Sequence, residues 1–282
     1  MKIVRTISEL KKEICRHKEE GRTIGLVPTM GALHKGHHSL VEKARSDNDI
    51  VVVSIFVNPT QFNNQEDLVK YPRDEKNDFE SLKADRVDIV FAPSDDEVYP
   101  VPDNRIFDLG KVAEVMEGGK RPGHFNGVAQ IVSKLFDWVQ PDRAYFGEKD
   151  FQQIAVIKRL KELIGSPVEI IECPIVRDTD GLALSSRNLR LNSIQRESAP
   201  NIHRILSQSA EWKECGMTPD EIIAKVTMEI NKDPNLNVEY YSIVDASTLV
   251  DLKNWHDSES YPVGCIAVYC GNVRLIDNIK YQ

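Results

Sequence analysis

The sequence predicts an α/β protein: a doubly wound parallel sheet followed by a smaller α+β region. Three observations carry this. Residues 50–57 are apolar at consecutive positions, as a strand covered on both faces must be. Strand-like and helix-like stretches alternate from residue 23 to residue 92, the rhythm of βαβ units. From about Asp178 that rhythm stops, and two helical runs precede three strand-like ones. A chain of 282 residues holds one large or two modest domains, expected here as 1–177 and 178–282.

In order, residues 7–20 form an amphipathic helix with Ile7, Leu10 and Ile14 on one face, Ser8 as expected N-cap and Gly21 as stop. Residues 23–27 are a buried strand, and Leu40, Val41 and Ala44 set a helix over 37–45. Pro28, Gly31 and Gly36 mark a tight loop between them, which puts His34 and His37 where the helix begins. A helix N-terminus has unpaired N–H groups and the positive end of the macrodipole, so it attracts anions such as phosphate. Two imidazoles add donors there, and Gly36 lets an anion approach the backbone. The strand over 50–57 runs into Asn58-Pro59-Thr60-Gln61-Phe62. Ligands of open α/β sheets bind beyond the carboxyl ends of strands, so Asn58 and Gln61 stand where a substrate would be read.

After Tyr71-Pro72-Arg73, residues 74–84 read as a helix and 87–92 as a third strand. Residues 93–103 read as a loop and 105–112 as a short strand and turn. Residues 117–127 form a glycine-rich basic loop, with Arg121 and His124, before a helix over 128–139. Residues 144–146 are a strand, and Gly147 opens the next loop. Lys149 projects a compact positive charge from it, and Asp150 is placed to cap the following helix. Residues 168–171 are a further strand. Ser185, Ser186 and Arg187 then stand on a loop begun by Gly181, able to close over phosphates. Residues 194–212 and 220–230 read as helices, and 240–244, 265–269 and 273–276 as strands.

Composition narrows the function. Hydrophobic residues are 41% and charged residues 28%, the range of a soluble globular protein. The formal charge of −8 with no basic block disfavours a bulk nucleic-acid binder. The five cysteines form no C-x-x-C pair, and Cys265 and Cys270 have opposite strand parity, so reduced thiols are expected rather than a zinc site or disulfide framework. No apolar leader follows Met1, and the most apolar run falls well short of the ~20 residues a bilayer needs. A cytoplasmic location, with no membrane or nucleic-acid partner, is expected.

Several long segments, in order, carry a resemblance: Val27-Pro-Thr-Met-Gly-Ala-Leu-His-Lys-Gly-His37, Val53-Ser-Ile-Phe-Val-Asn-Pro-Thr-Gln-Phe62, Tyr71-Pro-Arg73, Arg121-Pro-Gly-His-Phe125, Phe146-Gly-Glu-Lys-Asp-Phe-Gln-Gln153, Asp180-Gly-Leu-Ala-Leu-Ser-Ser-Arg-Asn188 and Arg274-Leu-Ile-Asp-Asn278. Over essentially its whole length the chain resembles the pantoate–β-alanine ligase (pantothenate synthetase) family of the HIGH-motif nucleotidyltransferase superfamily, with His34-Lys-Gly-His37 as the HIGH equivalent. The resemblance implies a Rossmann-like sheet of the HIGH nucleotidyltransferase type and a homodimer. It also implies ATP-dependent condensation of pantoate with β-alanine through a pantoyl adenylate, releasing AMP and pyrophosphate. It implies ATP contacts at Met30, Gly31, Ala32, Leu33, His34, Lys35, Gly36 and His37, at Gly147, Glu148, Lys149 and Asp150, and at Val176, Leu184, Ser185, Ser186 and Arg187. His34 takes the acid or donor role, and His37, Lys149, Ser185, Ser186 and Arg187 neutralise the leaving pyrophosphate. Gln61 and Gln153 hold pantoate, with Asn58, Arg121 and His124 as further substrate-binding candidates. Mg²⁺ accompanies ATP, with no side-chain cluster marking a protein metal site; Asp78 is the one acid near a position associated with metal. Thr60, where relatives often carry a larger apolar residue, is expected to change pocket shape. Two rivals are another enzyme of the superfamily acting on a phosphorylated acceptor, and a nucleotide-binding protein without catalysis. The glutamine pair argues against the first, and Lys149 with the Ser-Ser-Arg loop against the second.

Overall fold

The computed structural model describes residues 1–281. The elements run β1 (Lys2–Val4), α1 (Ile7–Glu19), β2 (Ile24–Thr29), α2 (Lys35–Asp47), β3 (Ile50–Ile55), α3 (Gln65–Val69), α4 (Glu75–Ala84), β4 (Ile89–Phe91), α5 (Asp95–Val98), α6 (Met116–Lys120), α7 (His124–Val139), β5 (Arg143–Gly147), α8 (Phe151–Leu163) and β6 (Glu169–Cys173). There follow α9 (Ser193–Ser198), α10 (Asn201–Glu214), α11 (Pro219–Ile230), β7 (Leu236–Asp245), β8 (Pro262–Cys270) and β9 (Val273–Lys280).

Six parallel strands form the first sheet in the order β1-β4-β3-β2-β5-β6. Strand periodicity explains its two cores. Ile50 and Val52 point to the side covered by α1, α7 and α8, while Val51 and Val53 point to the side covered by α2 and α4. Each such fully buried aliphatic contributes about 1.5–3 kcal/mol. The strand order reverses between β2 and β5, which pair directly, Gly25 opposite Arg143 and Leu26 opposite Ala144. The loops leaving their carboxyl ends, after Thr29 and after Gly147, are therefore neighbours across a topological switch point.

Beyond β6 the chain builds an antiparallel sheet, β7-β8-β9, packed on α10 and α11 around a separate core that includes Leu206, Ile222, Val226 and Ile266. An apolar seam of Phe151, Val244, Leu249, Val263 and Cys265 joins the two layers. Cys265 lies in that seam and Cys270 in the second core, the opposite faces their parity requires. All five cysteines are free.

Several local expectations change. Thr6, not Ser8, caps α1: its Oγ1 accepts from the Glu9 N–H, and the Glu9 carboxylate accepts from the Thr6 N–H. Residues 105–112 form no strand, because α7 side chains satisfy the backbone instead. Gln130 donates to the Asp103 and Arg105 carbonyls, and Asn126 accepts from the Phe107 N–H. Within 93–103 Ser94 caps the short α5. The glycine-rich run is not all loop, since it contains α6 and the first turn of α7, which starts at His124. The helix expected over 194–212 is two, α9 and α10, broken around Ala199 and Pro200, where proline has no N–H to give.

Candidate active site

The β2–α2 loop is held in an unusual backbone path. Gly31 has φ +76° and Ala32 φ +49°. A Cβ on Gly31 would lie 2.9 Å from Asp78 Oδ2 and 3.1 Å from Ile55 Cγ2, so this position requires glycine. Asp78, buried on α4, accepts from the Ala32 and Leu33 N–H groups at 2.9 and 2.8 Å. Both carboxylate oxygens thus brace the loop.

The brace delivers His34 to the N-cap of α2. Its Nδ1 accepts from the Gly36 N–H at 3.1 Å, and His37 Nδ1 accepts from the His34 N–H at 3.3 Å. The rings are 4.0 Å apart between centroids. An Nδ1 that accepts leaves the proton on Nε2. Burial, then the nearby Lys149 ammonium, pulls the His34 pKa down to about 4. Burial and then His34 hold His37 well below the ordinary histidine value. Both rings are therefore neutral at pH 7, each with one Nε2–H to offer.

Across the switch point, Glu148–Asp150 is one tight turn between β5 and α8. Asp150 occupies the N-cap of α8 but makes no side-chain cap, contrary to expectation. Its two oxygens lie 3.5 Å from Lys149 Nζ, a loose contact that leaves the carboxylate available to a ligand.

Gln61 is fixed from behind. Asn58 Nδ2 donates to Gln61 Oε1 at 3.2 Å and to the Gly127 carbonyl at 3.0 Å. Asn58 Oδ1 accepts from Tyr99 OH and Thr60 Oγ1. Asn58 is buried with these four bonds filled, so it aligns Gln61 and has nothing left for a substrate. Thr60 spends its hydroxyl on this network instead of shaping the cavity. Gln61 Nε2 lies 3.0 Å from Met30 Sδ. His124 Nδ1 donates to the Gln61 carbonyl at 2.8 Å, and its Nε2 lies 3.2 Å from Arg121 Nη1. Burial first, then Arg121, brings the His124 pKa to about 4. Gly127 lies against this loop: a Cβ there would sit 2.3 Å from the Thr60 carbonyl oxygen.

The last piece is the segment after Val176, whose carbonyl accepts from the Leu184 N–H at 3.0 Å. Ser185 Oγ accepts from the Arg187 N–H. Ser186 is buried, its hydroxyl 2.9 Å from Tyr71 OH. Arg187 and Arg190 share Asp67, at 2.9 and 2.6 Å.

A cavity of about 580 Å³ opens between the two layers, lined by Arg121, His124, Lys149, Asp150, Gln153, Ser185 and Arg187 among others. His34, His37, Gln61, Asn58 and Ser186 do not line it. Ser186 is turned toward Tyr71, Gln61 reaches the lining through His124, and His34 lies within the field of Lys149. The residues that sequence reasoning missed are the supports: Asp78 as brace, Tyr71, Asp67 and Tyr99. Tyr71 belongs to the Tyr71-Pro-Arg73 segment but has no role that its spacing reveals, and nothing in the spacing marks Asp67. Among the described residues no three His, Cys, Asp or Glu side chains come together as a metal cluster. Mg²⁺ is commonly held by one or two carboxylates together with phosphate oxygens and water, a mode that needs no such cluster.

Anion-seeking groups on both sides of a switch point, beside a cavity between the two sheets, are what a nucleotide-handling α/β enzyme requires. The chain belongs to the pantoate–β-alanine ligase family, whose model matches residues 2–280. It is 57% identical over 282 residues, the full length of both chains, to the pantothenate synthetase of Porphyromonas gingivalis strain W83. It is 46% identical over 279 residues to that of Fervidobacterium nodosum, 99% of each chain. The crystal structure of pantothenate synthetase from Thermus thermophilus superimposes with a TM-score of 0.92 at 41% identity, covering 100% of each chain. The pantoate–β-alanine ligase of Francisella tularensis, solved with a β,γ-ATP compound and β-alanine, gives 0.85 at 38% identity, covering 100% of this chain and 98% of that one.

Proposed function

We propose that this cavity condenses pantoate with β-alanine at the expense of ATP, in two steps. The pantoate carboxylate oxygen attacks the α-phosphorus of ATP and pyrophosphate leaves, giving pantoyl adenylate. The β-alanine amine then attacks the acyl carbon, the amide forms, and AMP departs. The observation that carries this reading is the pair of neutral imidazoles at the N-terminus of α2, across the switch point from Lys149.

Phosphoryl chemistry of this kind is driven by positioning and charge stabilisation. Neutral His34 and His37 offer Nε2–H donors that need no proton taken from solvent. A bound polyphosphate would raise their proton affinity, so His34 can firm its donation as charge builds on the leaving oxygen. Lys149 and Arg187 supply full positive charge, Ser185 a hydroxyl, and Ser186 holds the loop through Tyr71. The peptide groups from Met30 to Gly36, with Gly147 and Asp150, receive the nucleoside, and Val176 and Leu184 wall it. Gln61 and Gln153 read pantoate, neutral amides suited to hydroxyls and one carboxylate, with Arg121 beside them. Residues 178–282 act as a lid over 1–177, keeping water from an adenylate that hydrolyses readily. Mg²⁺ enters with ATP as its counter-ion. A homodimer in the cytoplasm completes the proposal; light scattering and cell fractionation test those two points.

Product analysis tests the chemistry. With ATP, Mg²⁺ and pantoate, AMP and pyrophosphate should form, and pantothenate should appear only when β-alanine is added. ADP in place of AMP would mean an acyl phosphate and would overturn the two-step scheme.

A further inference from the structure

The segment Arg274-Leu275-Ile276-Asp277-Asn278 lies in β9, in the second sheet, and the ligation above gives it no task. Its neighbours suggest one. Asn278 is buried, and its Nδ2 donates to the carbonyl oxygens of Glu148 at 2.8 Å and Lys149 at 3.2 Å. Two residues on, Lys280 Nζ meets Glu148 Oε1 at 2.8 Å. One residue back, the Asp277 carboxylate receives both terminal nitrogens of Arg177, at 2.7 and 2.9 Å. Adjacent residues of one strand thus grip the Lys149 turn and the point where the chain leaves the first domain.

The turn needs the grip. It is three residues long and has no side-chain cap, and among the described residues the Lys149 ammonium has only its loose contact with Asp150. Holding two successive carbonyls fixes the two peptide planes that meet at the Lys149 Cα and so the direction in which the Lys149 side chain departs. Nζ stands at the end of a four-carbon stem, where a small backbone rotation becomes a displacement large enough to spoil alignment.

We propose that Asn278 is a positioning residue for adenylation, holding the Lys149 turn so that the ammonium meets the polyphosphate in register. The inference rests on Lys149 as a phosphate-binding group. Its signature is a split between the half-reactions. Adenylation needs Lys149 in place, whereas attack of β-alanine on the adenylate involves no pyrophosphate.

Pantoate-dependent exchange of labelled pyrophosphate into ATP reads the first step. Rapid mixing of adenylate-loaded enzyme with β-alanine reads the second. Asn278→Ala should lower the exchange turnover about ten- to hundredfold, the scale of an ångström-sized misplacement, with a smaller change in the KM for ATP. The transfer step should stay within about twofold. Lys280→Gln should act in the same direction but less, and Asn278→Ser, which restores a hydroxyl donor, should recover part of the loss. If Asn278→Ala does not fold, Lys280→Gln and Asn278→Ser carry the test. Equal loss in both steps, or no loss in either, would overturn the proposal. Lys149→Ala runs alongside. Should it retain exchange, the reading of Lys149 falls and this inference with it; should it abolish exchange while Asn278→Ala does not, the inference alone falls.

Discussion

A histidine that spends Nδ1 on a backbone N–H has one proton left to offer, on Nε2, and His34 and His37 are both in that state. Their depressed pKa values mean that the free enzyme has nothing to lose from histidine titration at neutral pH. The kcat/KM profile for ATP should therefore show no histidine limb between pH 6 and 8; a limb near 6.5 that disappears in His34→Asn would contradict the neutral assignment. Stability carries the opposite face of the same shift. His124, held at about 4 by burial, binds a proton more readily unfolded than folded. Between pH 6.5 and 4 the unfolded chain takes up the extra proton, so stability falls as pH falls through that window. At pH 5 this one ring should cost on the order of 2 kcal/mol relative to pH 7. Urea unfolding at both pH values should show a smaller loss in His124→Gln than in the wild type; equal losses would mean that His124 does not set this dependence.

At the scale of elements, the loops are shaped by partners distant in sequence. Asp78 on α4 braces the β2–α2 loop, and α7 packs against the Asn58–Gln61 turn through Gly127. Asp78→Ala would leave two N–H groups unpaired, each worth about 1–3 kcal/mol where buried, and should raise the KM for ATP. Gly127→Ala must push the Thr60–Gln61 backbone away and should raise the KM for pantoate with little effect on ATP. Steady-state kinetics with each substrate varied checks both, and a reversed pattern would contradict the placement. This scale also shows how far the sequence could be read. Strands β2 to β6 and helices α1, α2, α4, α7 and α8 were legible because their apolar periods are local properties, and the His34–His37 loop because its glycines and flanking elements are; the edge strand β1 and the short helices α3, α5 and α6 span too few residues to carry a period. Residues 105–112 looked like a strand because their residue types suit one, but Gln130 and Asn126 had already taken the backbone bonds a neighbour strand would need. Asp150 looked like a cap, yet the turn before α8 leaves its carboxylate facing Lys149. Asp67 could not be found at all, since its importance comes only from two arginines about 120 residues away.

Across the whole molecule, the two sheets with their helices are joined by the apolar seam and by several polar contacts, among them Asn278 and Lys280 on the Lys149 turn, Arg187 and Arg190 on Asp67, and a latch centred on Arg274. Arg274 forks onto Glu117 at 2.8 and 2.7 Å, reaches Glu239 at 2.6 Å, and Tyr240 OH donates to the same Glu117. The paired guanidinium holds the Glu117 carboxyl below its usual range against the opposing effect of burial. Removing one partner of such a pair strands the other charge, so Arg274→Leu should cost about 3–5 kcal/mol and widen the molecule in solution scattering. Unchanged scattering would mean that the seam and the other polar contacts hold the two sheets together without this latch. In the intact protein, ATP with pantoate should reduce the radius of gyration if residues 178–282 close as a lid, and an unchanged radius would remove domain closure from the mechanism. Central to the proposed chemistry is a division of labour between a phosphate side, with Lys149 and the two histidines, and an acid side, with Gln61 and Gln153. The most direct measurement is pantoate-dependent pyrophosphate exchange in Lys149→Ala and Gln61→Ala, with ATP and pantoate varied separately. Lys149→Ala should lose turnover by orders of magnitude, because the interaction it removes is made chiefly in the transition state, while Gln61→Ala should weaken pantoate and leave the KM for ATP nearly unchanged. Small and equal effects from the two substitutions would contradict that division.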